Sequence, residues 1–263
     1  MAFRLTRRII KTSMRKLGYE IVPKSPTGNG ASFDPLVDID DATKDLFKYV
    51  QSNTLSGIER VAALRQAVEY IVRSDIPGDV VECGVWKGGS MMAIARTLLD
   101  KKSVSRRLYL FDTFSGMSDP TEIDKNLRGE TASQLLDATS DDKHSANVWA
   151  IAPLEAVKRS MQDTGYDEDR IVYVRGRVED TIPAQAPAKI ALLRLDTDWY
   201  ASTYHELVHL FPRLSVGGVL LIDDYGHWQG ARLAVDQYMA ERKLRLCLNR
   251  VDYTGRICIK LDP

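Results

Sequence analysis

Four aspartates stand at the ends of two apolar runs. One run ends in Leu195-Asp196-Thr197-Asp198-Trp199-Tyr200, the other in Ile222-Asp223-Asp224-Tyr225-Gly226-His227-Trp228. If the runs are neighbouring parallel strands, Asp196, Asp223 and Asp224 converge at one mouth of a sheet. Two carboxylates about 4 Å apart repel by roughly 4 kcal/mol at an effective dielectric of about 20. Three stay together only if some carry protons or a cation sits among them. An all-oxygen set favours a hard ion: magnesium, or else manganese or calcium. Any one of these acids could instead cap a helix in water, but four at two consecutive strand ends argue for the cation.

A second constellation lies upstream. Glu82-Cys83-Gly84-Val85-Trp86-Lys87-Gly88-Gly89-Ser90 follows an apolar run and leads into a helix. Its glycines permit a tight turn and close backbone approach to a ligand, and the helix start offers free N–H groups. It is neither G-x-G-x-x-G nor a phosphate loop. The next apolar run ends in Asp112, where doubly wound folds place the acid that binds ribose hydroxyls. A carboxylate can accept from both hydroxyls. Turn and acid together point to a nucleoside, and leave a dinucleotide and S-adenosylmethionine both open.

These residues need a scaffold that gathers strand ends. Apolar strand-like runs cover Asp79–Cys83, Leu108–Phe111, Ile171–Val174, Ile190–Leu195 and Val219–Ile222. Helical spacing covers residues 58–73, and helices are expected at about 88–100, 148–162, 201–211 and 229–242. Short apolar strands, each followed by a helix, signal a parallel sheet covered on both faces. Leu244–Leu248 and Arg256–Lys260, joined near Thr254-Gly255, read as an antiparallel pair at the sheet edge. The fold is α/β and doubly wound, and its ligands sit at the carboxyl ends of the strands. Residues 58–263 form the main domain, with 115–147 as an insertion that shapes the substrate pocket. Residues 1–57 form an extension: an amphipathic helix, basic at Arg4, Arg7, Arg8, Lys11, Arg15 and Lys16, then a polar, mobile cover.

Equal numbers of basic and acidic residues, 36 each, give no cause to expect a nucleic-acid partner. Cys83, Cys247 and Cys258 are odd in number and lack C-x-x-C spacing, which suits a reducing cytoplasm. No apolar run reaches the ~20 residues of a membrane span. The basic helix therefore docks on the body or a partner, as in a homodimer, or at most touches an anionic membrane surface. His205-Glu206-Leu207-Val208-His209 matches the zinc motif H-E-x-x-H, but Pro212 and Ser215 stand where the extended motif has Gly and His. A surface helix explains it better, with a zinc hydrolase as the minor alternative.

The motifs E-C-G-V-W-K-G-G-S at 82–90, L-F-D-T-F at 110–114, L-D-T-D-W-Y at 195–200 and I-D-D-Y-G-H-W at 222–228 resemble the macrocin O-methyltransferase (TylF-type) family across about residues 58–242. The resemblance implies a seven-stranded class I methyltransferase sheet, mostly parallel with an antiparallel last strand. It implies magnesium-dependent transfer of a methyl group from S-adenosylmethionine to a hydroxyl of a sugar or glycoside. Glu82, Gly84, Val85, Ser90, Asp112, Thr113 and Asp196 would then contact the cofactor, with Val178 and Glu179 edging the adenine. Asp196, Asp223 and Asp224 would hold the metal, Asp198 would be the general base, and Tyr200, Tyr225 and His227 would meet the acceptor. The rival is a nucleotide-dependent oxidoreductase or sugar-modifying enzyme on the same sheet, which leaves the aspartates unexplained.

Overall fold

The computed structural model describes residues 36–142 and 147–262. The basic amphipathic helix expected before Glu20 lies outside them. From Ile39 onward the chain forms one compact unit.

Its elements are α1 (Asp41–Val50), α2 (Ile58–Arg73), β1 (Asp79–Cys83), α3 (Gly89–Asp100), β2 (Leu108–Asp112), α4 (Ala132–Asp137), α5 (Leu154–Gln162), β3 (Ile171–Arg175), α6 (Val178–Thr181), β4 (Ile190–Leu195), α7 (Tyr200–Leu210), β5 (Leu214–Ile222), α8 (Gln229–Glu241), β6 (Asn249–Arg250) and β7 (Arg256–Ile259). The seven strands make one sheet in the order β3-β2-β1-β4-β5-β7-β6. The first five are parallel, while β7 runs antiparallel to both β5 and β6.

Alternate strand residues enter opposite cores. Val80, Leu108, Leu110 and Leu192 pack with Val68, Ile71, Ile94 and Leu98 of α2 and α3. Val81, Phe111, Leu193 and Leu195 pack with Leu207, Leu210 and Val235 of α7 and α8. A strand buried on both faces has no polar side to show water, so it reads as an unbroken apolar run.

Strand order reverses between β1 and β4, and there the connecting helices diverge to opposite faces and leave a crevice. Gly84 sits in that crevice at φ 80°. A Cβ on it would lie 1.9 Å from the carbonyl oxygen of Asp196. Only glycine lets the first turn pack against the aspartate segment.

Four expectations are corrected. Leu244–Leu248 forms no strand; Leu244, Leu246 and Leu248 pack sideways on the second core, and β6 is only Asn249–Arg250. The helix expected from residue 148 starts at Leu154 because Pro153 holds the extended cap conformation, φ −60°, ψ 141°. Strand β5 begins at Leu214 rather than Val219. Part of the expected cover is core: Val50, at the end of α1, is fully buried against the α2–α3 side.

The segment after β2 is tied to the rest of the chain through Asp124. Its carboxylate accepts from Thr121 and from the backbone N–H of Tyr200 at 2.8 Å. A bridge between Asn126 and Trp228 adds a second stitch.

Candidate active site

A cavity of about 400 Å³ opens at the carboxyl ends of β1, β2, β4 and β5. That lies within the size range of small-molecule sites. Gly84, Val85, Ser90, Asp112, Thr113, Val178 and Glu179 line one end, and Asp196, Asp198, Asp223, Asp224 and His227 the other, the two meeting where Gly84 packs on the Asp196 backbone.

Asp112 organises the first end. One carboxylate oxygen accepts from the backbone N–H groups of Val85 (2.6 Å) and Trp86 (3.0 Å), the other from Phe114 (2.6 Å). Two of those donors, Trp86 (φ 47°) and Phe114 (φ 53°), are in the left-handed region. Such strain persists only where surrounding bonds over-determine it. Burial raises the Asp112 carboxyl, and the three backbone hydrogen bonds oppose that rise. The glycine turn is thus fixed around an acid that still reaches the cavity, a cradle suited to a ribose.

The second end is built on a buried cation. Arg194 of β4 faces Glu82 of β1 across the ladder, at 2.5 Å. The same guanidinium meets Asp196 at 2.6 Å and Asp223 at 2.7 Å. The second Asp223 oxygen takes Arg60 of α2, which also pairs with Asp252 and donates to the Leu55 carbonyl. Burial works to raise Asp223, yet Arg194 and Arg60 hold it below the ordinary carboxylate value.

Asp196, Asp198 and Asp224 are left with less compensation. They bring one carboxylate oxygen each within 4.8 Å of one another, the only such group of acids, histidines and cysteines among the described residues. Burial pushes Asp198 up to about 7, while hydrogen bonds from Asp224 and Trp228 pull the other way. Burial and the neighbouring acids also raise Asp196 and Asp224, which Arg194 opposes. Without a cation, Asp198 and Asp224 must share a proton to sit side by side. The donor set is all oxygen, the chemistry of a hard divalent ion.

The expected metal trio of Asp196, Asp223 and Asp224 thus has its members differently partnered. Asp198 joins Asp196 and Asp224, and Asp223 turns to the arginines. A charged residue in the apolar strand Ile-Ala-Leu-Leu-Arg-Leu was the available signal, because a buried guanidinium must find carboxylates.

Other placements also differ. Glu82 is fully buried against Arg194 and does not line the cavity. Tyr200 lies outside the lining and donates to Gln237 at 2.7 Å. Tyr225 likewise lies outside, donating to Asp236 between the guanidinium groups of Arg232 and Arg256. His227 does line the cavity, its Nδ1 3.3 Å from the Tyr253 hydroxyl. Trp199 and Trp228 pack edge-to-face at 4.8 Å in a small core of their own. Asn53–Ser56, Arg60 and Tyr253 also line the cavity and lie outside the strand-end motifs.

Among the described residues the zinc motif belongs to no group of three or more convergent ligands. The His205 Nε2 lies 3.0 Å from the Ile182 carbonyl, while Glu206 turns inward to Thr197.

We expect Tyr200→Phe and Tyr225→Phe to leave turnover and acceptor KM within about twofold of wild type, since each hydroxyl bonds a helix surface rather than the cavity. A tenfold rise in acceptor KM for either would return that tyrosine to the site.

A glycine turn and a ribose-placed acid point to a nucleoside, and a seven-stranded sheet in the order β3-β2-β1-β4-β5-β7-β6 with β7 antiparallel is the fold of a class I S-adenosylmethionine-dependent methyltransferase. The chain belongs to the macrocin-O-methyltransferase (TylF) family, whose sequence model matches residues 39–259. It is 32% identical over 208 residues to 8-demethyl-8-(2,3-dimethoxy-alpha-L-rhamnosyl)-tetracenomycin-C 4'-O-methyltransferase of Streptomyces olivaceus, spanning 78% of this chain and 74% of that one. It is 30% identical to demethyldecarbamoylnovobiocin O-methyltransferase of Streptomyces niveus, over the same shares. The solved structure of the O-methyltransferase NovP superposes with a TM-score of 0.69 at 29% identity, over 80% of this chain and 83% of that one. The protein is an O-methyltransferase, and the oxidoreductase and zinc-hydrolase readings are set aside.

Proposed function

We propose that the protein methylates a hydroxyl of a sugar or glycoside, using S-adenosylmethionine and a magnesium ion. One observation carries this reading: a single cavity joins the Asp112 cradle to the Asp196–Asp198–Asp224 cluster. The relative from Streptomyces olivaceus supports the acceptor class, since its name places a rhamnosyl group on its substrate.

Gly84 and Asp112 would hold the nucleoside, with Val85, Ser90 and Thr113 around it and Val178 and Glu179 at the adenine edge. Asp196, Asp198 and Asp224 would hold the metal. The bound ion supplies a lowered pKa to an acceptor hydroxyl, which otherwise keeps its proton at neutral pH. Asp198, less buried than Asp224, takes that proton. Arg194 and Arg60 keep Asp223 ionised and the strand ends together, and His227 orients the acceptor. The methyl sulfonium is already activated, so alignment of oxygen, methyl and sulfur is the remaining task. Three free cysteines suit a cytoplasmic enzyme.

The test is methyl transfer from labelled S-adenosylmethionine to a panel of α-L-rhamnosides and related glycosides. Turnover should appear with magnesium and fall at least about 100-fold in EDTA, recovering when the ion is restored. Full activity in chelator removes the metal from the scheme. Transfer only to non-sugar phenols removes the acceptor class.

A further inference from the structure

The zinc-like motif leaves one residue without a task. Glu206 of α7 is completely buried. One of its oxygens accepts from the Thr197 hydroxyl at 2.9 Å, and the other is buried with no hydrogen-bond partner. The Cys83 thiol lies beside it and is itself pushed up, first by burial and then by this carboxylate. Burial above all raises Glu206; the Thr197 bond opposes it, and Glu179, Asp224 and Asp196 add repulsion. Burial thus favours the protonated form of Glu206, which has no counter-charge beside it.

Besides the Cys83 thiol, its hydrogen-bond partner is the residue between Asp196 and Asp198. That turn is unusual. Asp198 holds φ 67°, in the left-handed region. The Thr197 carbonyl is tied to the Trp199 N–H at 2.7 Å, and the Asp196 N–H to the Cys83 carbonyl at 2.9 Å. Those bonds fix the backbone on either side. The Thr197 side chain is bonded to Glu206 beneath, and a rotation of this residue would carry the two aspartates apart. Two like charges side by side give the turn reason to open unless it is held.

We propose that Glu206 is a positioning residue of the methyl-transfer site, holding Thr197 so that Asp196 and Asp198 converge on Asp224. The inference rests on the metal reading above. It predicts that a change at Glu206, outside the cavity lining, weakens ion binding while the Asp112 end is untouched.

The experiment measures Mn²⁺ binding by electron paramagnetic resonance and S-adenosylmethionine binding by calorimetry on the full chain. The variants are Glu206→Gln, Glu206→Leu and Thr197→Val. Partners that orient metal ligands are typically worth 10- to 100-fold in affinity. Glu206→Leu and Thr197→Val should each weaken Mn²⁺ by about that factor, together no more than either alone, with cofactor affinity within about twofold. Glu206→Gln, whose amide oxygen still accepts from Thr197 and cannot ionise, should bind Mn²⁺ like wild type. If Glu206→Leu fails to fold, Thr197→Val carries the same prediction. Unchanged Mn²⁺ affinity in Thr197→Val overturns the inference alone. Wild-type protein that binds S-adenosylmethionine but no Mn²⁺ overturns the metal reading, and the inference with it.

Discussion

Asp198→Asn is expected to bind S-adenosylmethionine as wild type does and to lose turnover by about 10²- to 10⁴-fold, the range of a positioned general base. The proposed cofactor end is built from Asp112 and the backbone of the glycine turn, whose hydrogen bonds do not involve Asp198. Asparagine nearly keeps the shape and the tolerance for a left-handed backbone. It loses the charge that would hold an ion and the lone pair that would take a proton. Calorimetry with the cofactor, beside single-turnover methyl transfer, separates the two effects. Turnover within a few-fold of wild type would remove Asp198 from the chemistry, and a parallel loss of cofactor affinity would mean that the two ends of the cavity are not independent.

Arg194→Met should cost the fold about 3–5 kcal/mol, the loss typical of removing one partner of a buried ion pair. Arg194 is 4% exposed and Glu82 0%. Glu82 has no cation but Arg194 within hydrogen-bonding reach, and its second oxygen is already without a partner. Burial raises the Glu82 carboxyl to about 7 even with that arginine opposing the rise. Without it, Glu82 takes up a proton, Asp196 loses its nearest cation, and Asp223 leans on Arg60 alone. Adding Glu82→Gln to Arg194→Met should recover part of the loss, because the orphaned carboxyl is then gone. Urea unfolding checks both variants. A loss below 1 kcal/mol would mean that the acids reach water or protons easily, and that Arg194 does not organise this end.

Backbone-level features were legible and pairings between side chains were not. Strands β1 and β4 were readable to the residue because burial on both faces demands mainly apolar runs, interrupted inside them only by the ion-paired Glu82 and Arg194. The switch-point rule then points to Gly84, Asp112 and the aspartates. The edge was harder: Leu244–Leu248 alternates as a strand should, but no neighbour offers it a ladder and its leucines are covered from the side. Within the site, the grouping of the acids turns on neutralisation. Four acids at two strand ends look equivalent in a sequence, and which of them an ion would join depends on where the cations fall. Arg60 comes from a helix 163 positions before Asp223, and nothing in local spacing announces that meeting. Tyr200 and Tyr225 adjoin the aspartates in sequence, but the chain turns into α7 and α8 there and carries both rings onto the helix surface.

The most direct test is anomalous diffraction from crystals of the full chain grown with Mn²⁺ and S-adenosylhomocysteine. The account predicts one strong peak among the carboxylates of Asp196, Asp198 and Asp224, facing the sulfur across the cavity, with Asp223 still held by Arg194 and Arg60. A cavity that binds the nucleoside yet shows no peak there, or a peak that draws Asp223 away from its arginines and leaves Asp198 outside, would contradict it.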